Sequence, residues 1–220
     1  RSAALAYAAH GATVWLLGRT EAKLEAVYDE IEAAGGAQPA ILPVDLATLN
    51  EQQCHTLATT LADNMPHLDA LLHNASVLGE RRPIESTSYA SWSEVIQVNV
   101  NAQFLLTRTL LPLLDAAPAA SIIFTSSGVG RQGRAYWGAY AVSKFATEGL
   151  MQVLADELEN TSQVRVNSLN PGGTNTAMRR SAYPAETPTD NPSPDAIMPA
   201  YLYLMGDDSL GVTGQALNAQ

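Results

Sequence analysis

The 220-residue sequence predicts an α/β fold in which a doubly wound parallel sheet lies between two layers of helices. Short apolar runs alternate with segments of helical length, which is typical of βαβ crossovers. With 46% hydrophobic residues and no strong break in composition, residues 1–220 are expected to form one domain with a single core between the layers. No apolar run approaches the ~18 residues that a membrane-spanning helix needs.

Five runs have the composition of buried strands bounded by turn residues. They are A-T-V-W-L-L (12–17), P-A-I-L-P-V (39–44), L-D-A-L-L-H (68–73), S-I-I-F-T-S (121–126) and V-R-V-N-S-L (164–169). Because the carboxyl ends of parallel strands meet at one edge of a sheet, we expect a ligand crevice along that edge.

The first residues and a proline-rich segment fit the same architecture. R-S-A-A-L-A-Y-A-A-H-G is expected to form a helix that ends at Gly11, since glycine commonly follows a helix end. The segment 181–195, S-A-Y-P-A-E-T-P-T-D-N-P-S-P-D, has four prolines and few apolar residues and is predicted to be a loop. It is either a solvated connection or a mobile lid over the crevice.

Charge and cysteine usage argue against several kinds of partner and site. A net charge of −10 and a pI near 4.7 argue against nucleic acid and anionic membranes, which both need a basic surface. The single Cys54 cannot form an internal disulfide and is predicted to be a buried thiol in a helix. His10, His55, His67 and His73 lack the spacing of a metal site. We therefore expect a cytoplasmic protein without a bound metal.

The run G-A-Y-A-V-S-K-F-A-T-E-G places Tyr140 and Lys144 four residues apart, on one face of a predicted helix. A free phenol titrates near ~10, and a neighbouring ammonium lowers that pKa. Tyr140 is therefore expected to act as an acid and base near neutral pH, as carbonyl reduction requires. On spacing alone, an exposed surface pair is the alternative.

Two further polar residues are expected beside this pair. Ser127 follows the predicted strand 121–126, so its hydroxyl should point into the crevice. Asn99 lies in an apolar stretch of helical length, where an amide is expected to bind a water or to bend the helix. Pro171 and Gly172 follow the predicted strand 164–169 and should turn the backbone over the site.

These elements, in this order, resemble the short-chain dehydrogenase/reductase family over nearly the whole chain. The resemblance implies a Rossmann fold and a catalytic tetrad of Asn99, Ser127, Tyr140 and Lys144. The runs R-Q-G-R, W-G-A-Y, K-F-A-T-E-G, N-P-G-G-T and L-M-G-D-D-S are most similar to the YciK-like branch of oxidoreductases, whose substrate is unassigned, near the 3-oxoacyl-(acyl carrier protein) reductases.

The resemblance also implies contacts with a dinucleotide cofactor. They fall on Asp45, Leu46, Asn74, Ala75, Tyr140, Lys144, Pro171, Gly172, Thr174 and Thr176. Asp45 matches the acidic residue beside the adenine, and P-G-G-T-N-T matches the loop that covers the nicotinamide carboxamide. The run H-N-A-S departs from the family's Asn-Asn-Ala-Gly at Ser76.

The choice of cofactor depends on Gly18 and Arg19, which follow the first predicted strand. A carboxylate at this place would accept from the ribose 2′-hydroxyl of NAD, whereas an arginine binds a 2′-phosphate. The pair therefore favours NADP(H). The alternative is that Arg19 is a surface charge before a helix capped by Thr20.

The family's glycine-rich fingerprint, Thr-Gly-x-x-x-Gly-x-Gly, is not found in these residues. The family would place it, with its strand, immediately before residue 1. A parallel sheet without that central strand would expose two edges, so we expect the polypeptide to carry a further strand and loop there.

The resemblance assigns a role to each tetrad residue. Ser127 would bind the substrate oxygen and Tyr140 would protonate it. Lys144 would keep Tyr140 acidic and hold the nicotinamide ribose, and Asn99 would fix a water that leads to Lys144. Tyr136 and Trp137 are expected either to line the substrate pocket or to pack in the core.

The predicted function is therefore NADP(H)-dependent reduction of a carbonyl, for example a 3-oxoacyl thioester. One alternative is a non-catalytic dinucleotide sensor, which would have no need for Tyr140 and Lys144. Another is an epimerase or dehydratase on nucleotide sugars, which generally has a longer carboxyl-terminal domain. Apolar faces on the helices that carry Asn99 and Tyr140 predict a homodimer or homotetramer.

Six arginines follow predicted strands and would form a basic rim around the crevice. They are Arg81, Arg82, Arg131, Arg134, Arg179 and Arg180. A positive cleft attracts anions, so the rim predicts a substrate with a phosphate or carboxylate. The alternative is that some of them pair with acids such as Glu80 and Glu85, or pack between subunits.

Overall fold

Alternating helices and strands make up the computed structural model, which describes residues 1–220. The helices are α1 Ser2–Ala9, α2 Glu21–Ala33, α3 Glu51–Asn64, α4 Tyr89–Ile96, α5 Ala102–Asp115, α6 Gly138–Leu158, α7 Ala177–Ala182 and α8 Met198–Met205. The strands are β1 Trp15–Gly18, β2 Ala40–Pro43, β3 Ala70–His73, β4 Ser121–Thr125, β5 Arg165–Asn170 and β6 Ala216–Asn218. None of the helices is long and apolar enough to cross a bilayer.

All strand pairs are parallel, as predicted, and they form two hydrogen-bonded groups. β1 pairs with β2, and the order β3-β4-β5-β6 forms the second group. The five predicted strands are confirmed, whereas β6 was missed because A-L-N is short and half exposed. β1 and β3 share no ladder hydrogen bonds, so the predicted single sheet is divided at this place. A further strand between them stays a prediction.

The central strands bury both faces, which separates the helices into two layers. Ile122 and Phe124 of β4 pack into the cluster formed with α3, α5 and α6. The intervening Ile123 faces the other way, against Met198 and Leu204 of α8. Successive side chains of a strand point to opposite faces, so this alternation establishes the predicted three-layer α/β architecture.

Two loop predictions are confirmed in outline. α1 ends at Ala9, and Gly11 adopts a φ of +89°, which glycine reaches without steric cost. The segment 181–195 is irregular except at its start, where Ala182 ends α7, and at two short 3₁₀ turns, Pro188–Asp190 and Pro194–Ile197. It contacts the loop after β5, since Asn175 N donates to Pro192 O at 2.9 Å.

The turn after β4 packs directly on the backbone of α6. A Cβ at Gly130 would lie 2.8 Å from Lys144 Cβ and 2.9 Å from the Lys144 carbonyl carbon and oxygen. Only a residue without a side chain allows this approach, because α6 cannot move away without displacing the side chains that it carries into the core. Gly128, in the same turn, has open space around it.

Gly130→Ala should therefore lower the free energy of unfolding by about 1–3 kcal/mol through overpacking against α6. Chemical denaturation measures this loss, and Gly128→Ala is the matched control, expected to change stability by less than ~0.5 kcal/mol. Equal effects of the two variants would contradict the close packing of the turn on α6.

Candidate active site

Tyr140 and Lys144 lie one turn apart on α6 and are both buried, with 8% and 1% of their surface exposed. The helix starts beside the carboxyl end of β4, so its first two turns lie over the edge where the sequence predicts a crevice. Lys144 Nζ is 5.6 Å from the centroid of the Tyr140 ring. The predicted pair is therefore assembled and is not a surface pair.

Lys144 is a buried cation with a single hydrogen-bond partner in the chain. Its Nζ donates to Thr125 O, the last carbonyl of β4, at 2.7 Å. Burial lowers the pKa of Lys144 to about 8, and the carboxylate of Glu148, one turn further along α6, acts in the opposite direction. Below pH 8 the site therefore holds an ammonium at the carboxyl edge of the sheet.

The expected net lowering of the Tyr140 pKa is not found in this structure, where the net shift is upward. Burial raises the pKa of Tyr140 above its ordinary value, and the hydroxyls of Ser76 and Ser127 oppose that shift without cancelling it. The ammonium donates to Thr125 O instead of to the phenol. Tyr140 is therefore a neutral phenol at neutral pH, the protonation state of a proton donor.

Ser127 and Ser76 both reach this phenol. Ser127 lies two residues after the end of β4, with extended backbone that begins a short turn. Ser76 belongs to the loop after β3, where the sequence showed only a departure from the family's glycine. Ser76 had no recognisable signal of a role, because its proximity to Tyr140 depends on two segments far apart in the sequence.

Asn99 fixes the loop after β3 to α6. It lies in a π-helical segment, Gln97–Asn101, between α4 and α5, and is fully buried. Its Oδ1 accepts from Val77 N at 2.8 Å, and its Nδ2 donates to Val77 O at 2.9 Å and to Ser143 Oγ at 3.0 Å. The predicted irregularity of the helix is confirmed. Both N–H groups of the Asn99 side chain donate to protein atoms. The water that Asn99 is predicted to fix would therefore have to bond to a different atom of this residue.

The sequence did not predict an ion pair next to Lys144 between the buried Glu148 and the exposed Arg131. Glu148 accepts from Arg131 Nε at 3.0 Å and from Ser168 Oγ of β5 at 2.6 Å. Arg131 also donates to Asn218 Oδ1 and Leu217 O of β6, at 2.9 and 2.8 Å. These bonds hold the Glu148 carboxylate in place and connect the turn after β4 with α6, β5 and β6.

The residues assigned to the adenosine side follow β1, β2 and β3. Gly18 ends β1 and Arg19 is exposed beyond it. Asp45 Oδ1 accepts from Ala47 N at 3.0 Å, and the Leu46 carbonyl accepts from Gln97 Nε2 at 3.3 Å. These bonds order the turn after β2. The Arg19 side chain has no hydrogen-bond or ion-pair partner in the chain.

Asn74 and Ala75 follow β3 and are exposed at the same edge. Asn74 Oδ1 accepts from Thr125 Oγ1 at 3.4 Å, a long bond that joins the end of β3 to the end of β4. The buried Ser126 Oγ nearby has no hydrogen-bond partner in the chain. This edge of the sheet therefore presents polar atoms that are available to a ligand.

The loop after β5 is shaped by the residues that follow β6. Gln220 Nε2 donates to Gly173 O at 3.1 Å, and a Cβ on Gly172, whose φ is +70°, would lie 2.8 Å from the same atom. Thr174 Oγ1 donates to Pro171 O at 3.1 Å. These contacts hold the loop against Gln220, and its turn over the site stays a prediction.

Thr176 has a structural contact that the sequence did not predict. Its Oγ1 accepts from Arg179 N at 3.1 Å as the N-cap of α7. The hydroxyl proton is still able to bond elsewhere, since the cap uses only the oxygen.

Three aromatic rings extend the site outward from Tyr140. Trp137 is buried, with its ring centroid 5.8 Å from that of Tyr140 and 5.8 Å from that of Tyr183. Tyr136 is 58% exposed, with a φ of +70°, an uncommon conformation for a residue with a side chain. Trp137 therefore lies between the rings of Tyr140 and Tyr183.

The predicted basic rim is only partly present. Arg179 forms an ion pair with Glu186, Arg131 with Glu148, and Arg82 lies 3.6 Å from Glu80. Arg180 donates to Asn175 Oδ1 at 2.8 Å. Three of the six therefore have a carboxylate partner, whereas Arg81, Arg134 and Arg180 have none. Glu85 pairs with none of the six.

His73 and Cys54 have packing roles. The His73 ring stacks on Phe124 at 4.8 Å, and its Nε2 lies 2.8 Å from Thr107 Oγ1. Burial first, and then the charge of Lys144, lower the pKa of His73 to about 3, so the imidazole is neutral. Cys54 is fully buried in α3, as predicted, and burial raises its pKa. No group of three or more His, Cys, Asp or Glu side chains converges in the structure.

Comparison with known proteins finds the same fold and sequence pattern. The short chain dehydrogenase family matches residues 1–187. The uncharacterized oxidoreductase YciK of Escherichia coli is 54% identical over 220 residues, which are 100% of this chain and 86% of that protein. A short chain dehydrogenase of Pseudomonas syringae is 59% identical, with a TM-score of 0.98 over 100% of this chain and 89% of that one. A short chain dehydrogenase of Escherichia coli CFT073, solved in complex with NADPH, is 55% identical, with a TM-score of 0.97 over 100% and 91%.

Proposed function

Because the chain belongs to the short chain dehydrogenase family, we propose that it is an NADPH-dependent reductase that converts a small-molecule carbonyl to an alcohol. The observation that carries this proposal is the buried Tyr140 beside a buried Lys144, with Ser127 near the phenol. A neutral phenol suits proton donation, and the nearby ammonium stabilises the phenolate that proton donation leaves.

The residues at the carboxyl edge fit NADP(H). Arg19 offers an exposed cation after β1, where a 2′-phosphate would be bound, with no acid in the chain bonded to it. Asn74 and the unpartnered Ser126 Oγ provide polar atoms along the edge, and Gly172 lets the loop after β5 approach closely. A related protein of Escherichia coli CFT073 was solved with NADPH, which supports the same choice here.

Each residue then has one task in the proposed reaction. NADPH supplies the hydride. Ser127 orients the substrate oxygen, and Tyr140 donates its proton to that oxygen as the alcohol forms. Lys144 stabilises the resulting phenolate, because its ammonium lies 5.6 Å from the ring and is held there by Thr125 O. Asn99 fixes the relative position of the loop after β3 and α6 through Val77 and Ser143.

The substrate is proposed to be a small carbonyl compound that bears an anionic group. A 3-oxoacyl thioester is one member of this class. Its carbonyl would lie at Ser127 and Tyr140, and the phosphate of its carrier would lie near the arginines. The support is that Arg81 and Arg134 both contact Tyr183 and both lack an acidic partner, on a chain with a net charge of −10.

Tyr140→Phe should lower kcat by ~100-fold or more while NADPH still binds, because the ring is retained and the proton donor is lost. Single-turnover oxidation of NADPH with a carbonyl panel measures the rate, and fluorescence titration measures binding. Tyr136→Phe is the matched control, since it removes an exposed hydroxyl four residues away. Retention of near-normal activity in Tyr140→Phe would rule out the assigned proton donor.

We also propose that two copies pair through α5 and α6. Val142, Phe145 and Val153 lie along one face of α6 and are 43%, 46% and 57% exposed, and Phe104 of α5 is 46% exposed. Gly149, on the same face of α6, has open space that would admit a facing helix. Apolar faces of this kind are typical of subunit contacts.

Phe145→Glu should shift the protein from dimer or tetramer to smaller species, because it places a charge in the proposed apolar interface. Multi-angle light scattering at micromolar concentration gives the mass. Tyr203→Glu, at a 40% exposed position on α8, should leave the assembly intact. A wild-type protein that is monomeric under these conditions would refute the pairing.

A further inference from the structure

Tyr183 lies among three guanidinium groups. Arg179 Cζ is 3.9 Å from the centroid of the Tyr183 ring, and Arg81 Cζ is 5.1 Å from it. Arg134 Nη1 donates to the Tyr183 hydroxyl at 3.0 Å. Arg81 also lies over Trp137, 4.6 Å from the ring centroid. The aromatic faces hold these cations in fixed positions through cation–π contacts and one hydrogen bond.

Only one of the three charges is neutralised. Arg179 forms an ion pair with Glu186, which also accepts from Asn191. Arg81 and Arg134 have no carboxylate within salt-bridge distance, and both are exposed. Cations of like sign held around one ring repel each other. An anion bound between Arg81 and Arg134 would relieve this repulsion and gain charge-assisted hydrogen bonds.

The backbone at Tyr136 has an uncommon conformation. Its φ of +70° places a left-handed turn between Arg134 and Trp137, which lets both side chains contact Tyr183. Such a conformation costs about 1 kcal/mol or more for a residue with a side chain and persists where the surroundings enforce it. Arg81, in the loop after β3, and Arg134, in the loop after β4, thus both contact the Tyr183 side chain.

The two cations lie close to the proposed reaction centre. Trp137 contacts Tyr140 on one side and Tyr183 on the other, both at 5.8 Å between centroids. An anion held by Arg81 and Arg134 would therefore be about one aromatic ring away from the proton donor. That separation admits a substrate whose carbonyl and anionic group are several bonds apart.

We propose that Arg81 and Arg134 form an anion-binding subsite that recognises the carboxylate or phosphate end of the carbonyl substrate. The inference rests on the proposed function and names the part of the site that selects the substrate. Guanidinium forks bind both anions through paired N–H···O bonds, so the shared chemistry is a terminal group of anionic oxygens.

The test uses the full chain with NADPH and straight-chain aldehydes of increasing length that end in a carboxylate, a phosphate monoester or a methyl ester. At the matching length, kcat/KM should favour an anion over the ester by about tenfold or more, and the preference should weaken with salt. The larger of the carboxylate and phosphate preferences identifies the anion.

Arg81→Ala and Arg134→Ala should each reduce that preference about three- to tenfold by raising KM for the anion more than KM for the ester. Arg82→Ala is the matched control, because Arg82 is adjacent to Arg81 but lies beside Glu80. A wild-type enzyme that reduces the esters without preferring the anions, or a preference that survives both substitutions, would overturn the subsite and leave the proposed function standing.

Calorimetric binding of the corresponding dicarboxylates to the complex with NADP⁺ separates the two proposals. If no aldehyde is reduced but binding is lost in Arg81→Ala and Arg134→Ala, the proposed function fails and the subsite stands. If binding is equal in wild type and in both variants, the subsite is refuted.

Discussion

The burial of the Lys144 ammonium is the constraint on which the rest of the site depends. A charge that is 1% exposed needs compensation, and the chain provides the Thr125 carbonyl and the Glu148 carboxylate one turn away. Glu148 is in turn held by Arg131 and Ser168. Gly130 lets the turn after β4 approach the Lys144 backbone. One buried cation thus fixes how β4, β5 and α6 meet.

The site divides into a rigid part and a part built from loops. The rigid part comprises Tyr140 and Lys144 on α6, and Asn99, whose three side-chain hydrogen bonds join the loop after β3 to that helix. The second part lies outward of Trp137, where the loops after β3 and β4 and the segment after α7 meet around Tyr183. Loops on a rigid scaffold commonly set specificity, so variation at Arg81 and Arg134 would change the substrate without altering the proton donor.

The sequence was sufficient to predict the layers, five of the six strands and the positions of Tyr140 and Lys144, because period and spacing are local properties. It could not predict that Glu148 pairs with Arg131, which lies 17 positions earlier in the sequence. Nor could it predict that three arginines contact Tyr183, since one of them, Arg134, is 49 positions away. It also predicted the wrong net direction for the pKa shift of Tyr140. Spacing placed the two side chains on one face, but burial is the largest cause of the pKa shift of each.

The charge state of Lys144 is tested most directly by the pH dependence of kcat/KM in wild type and in Glu148→Gln. His73 and Tyr140, the other titratable groups near Lys144, are neutral around pH 8, since the pKa of His73 is lowered to about 3 and that of Tyr140 is raised. Activity should therefore fall as pH rises through about 8, where Lys144 loses its proton. Loss of the Glu148 charge lowers the pKa of Lys144, so the alkaline limb should move to lower pH in Glu148→Gln and stay in place in Glu157→Gln, at an exposed position of α6. An alkaline limb that is identical in wild type and Glu148→Gln would contradict the account.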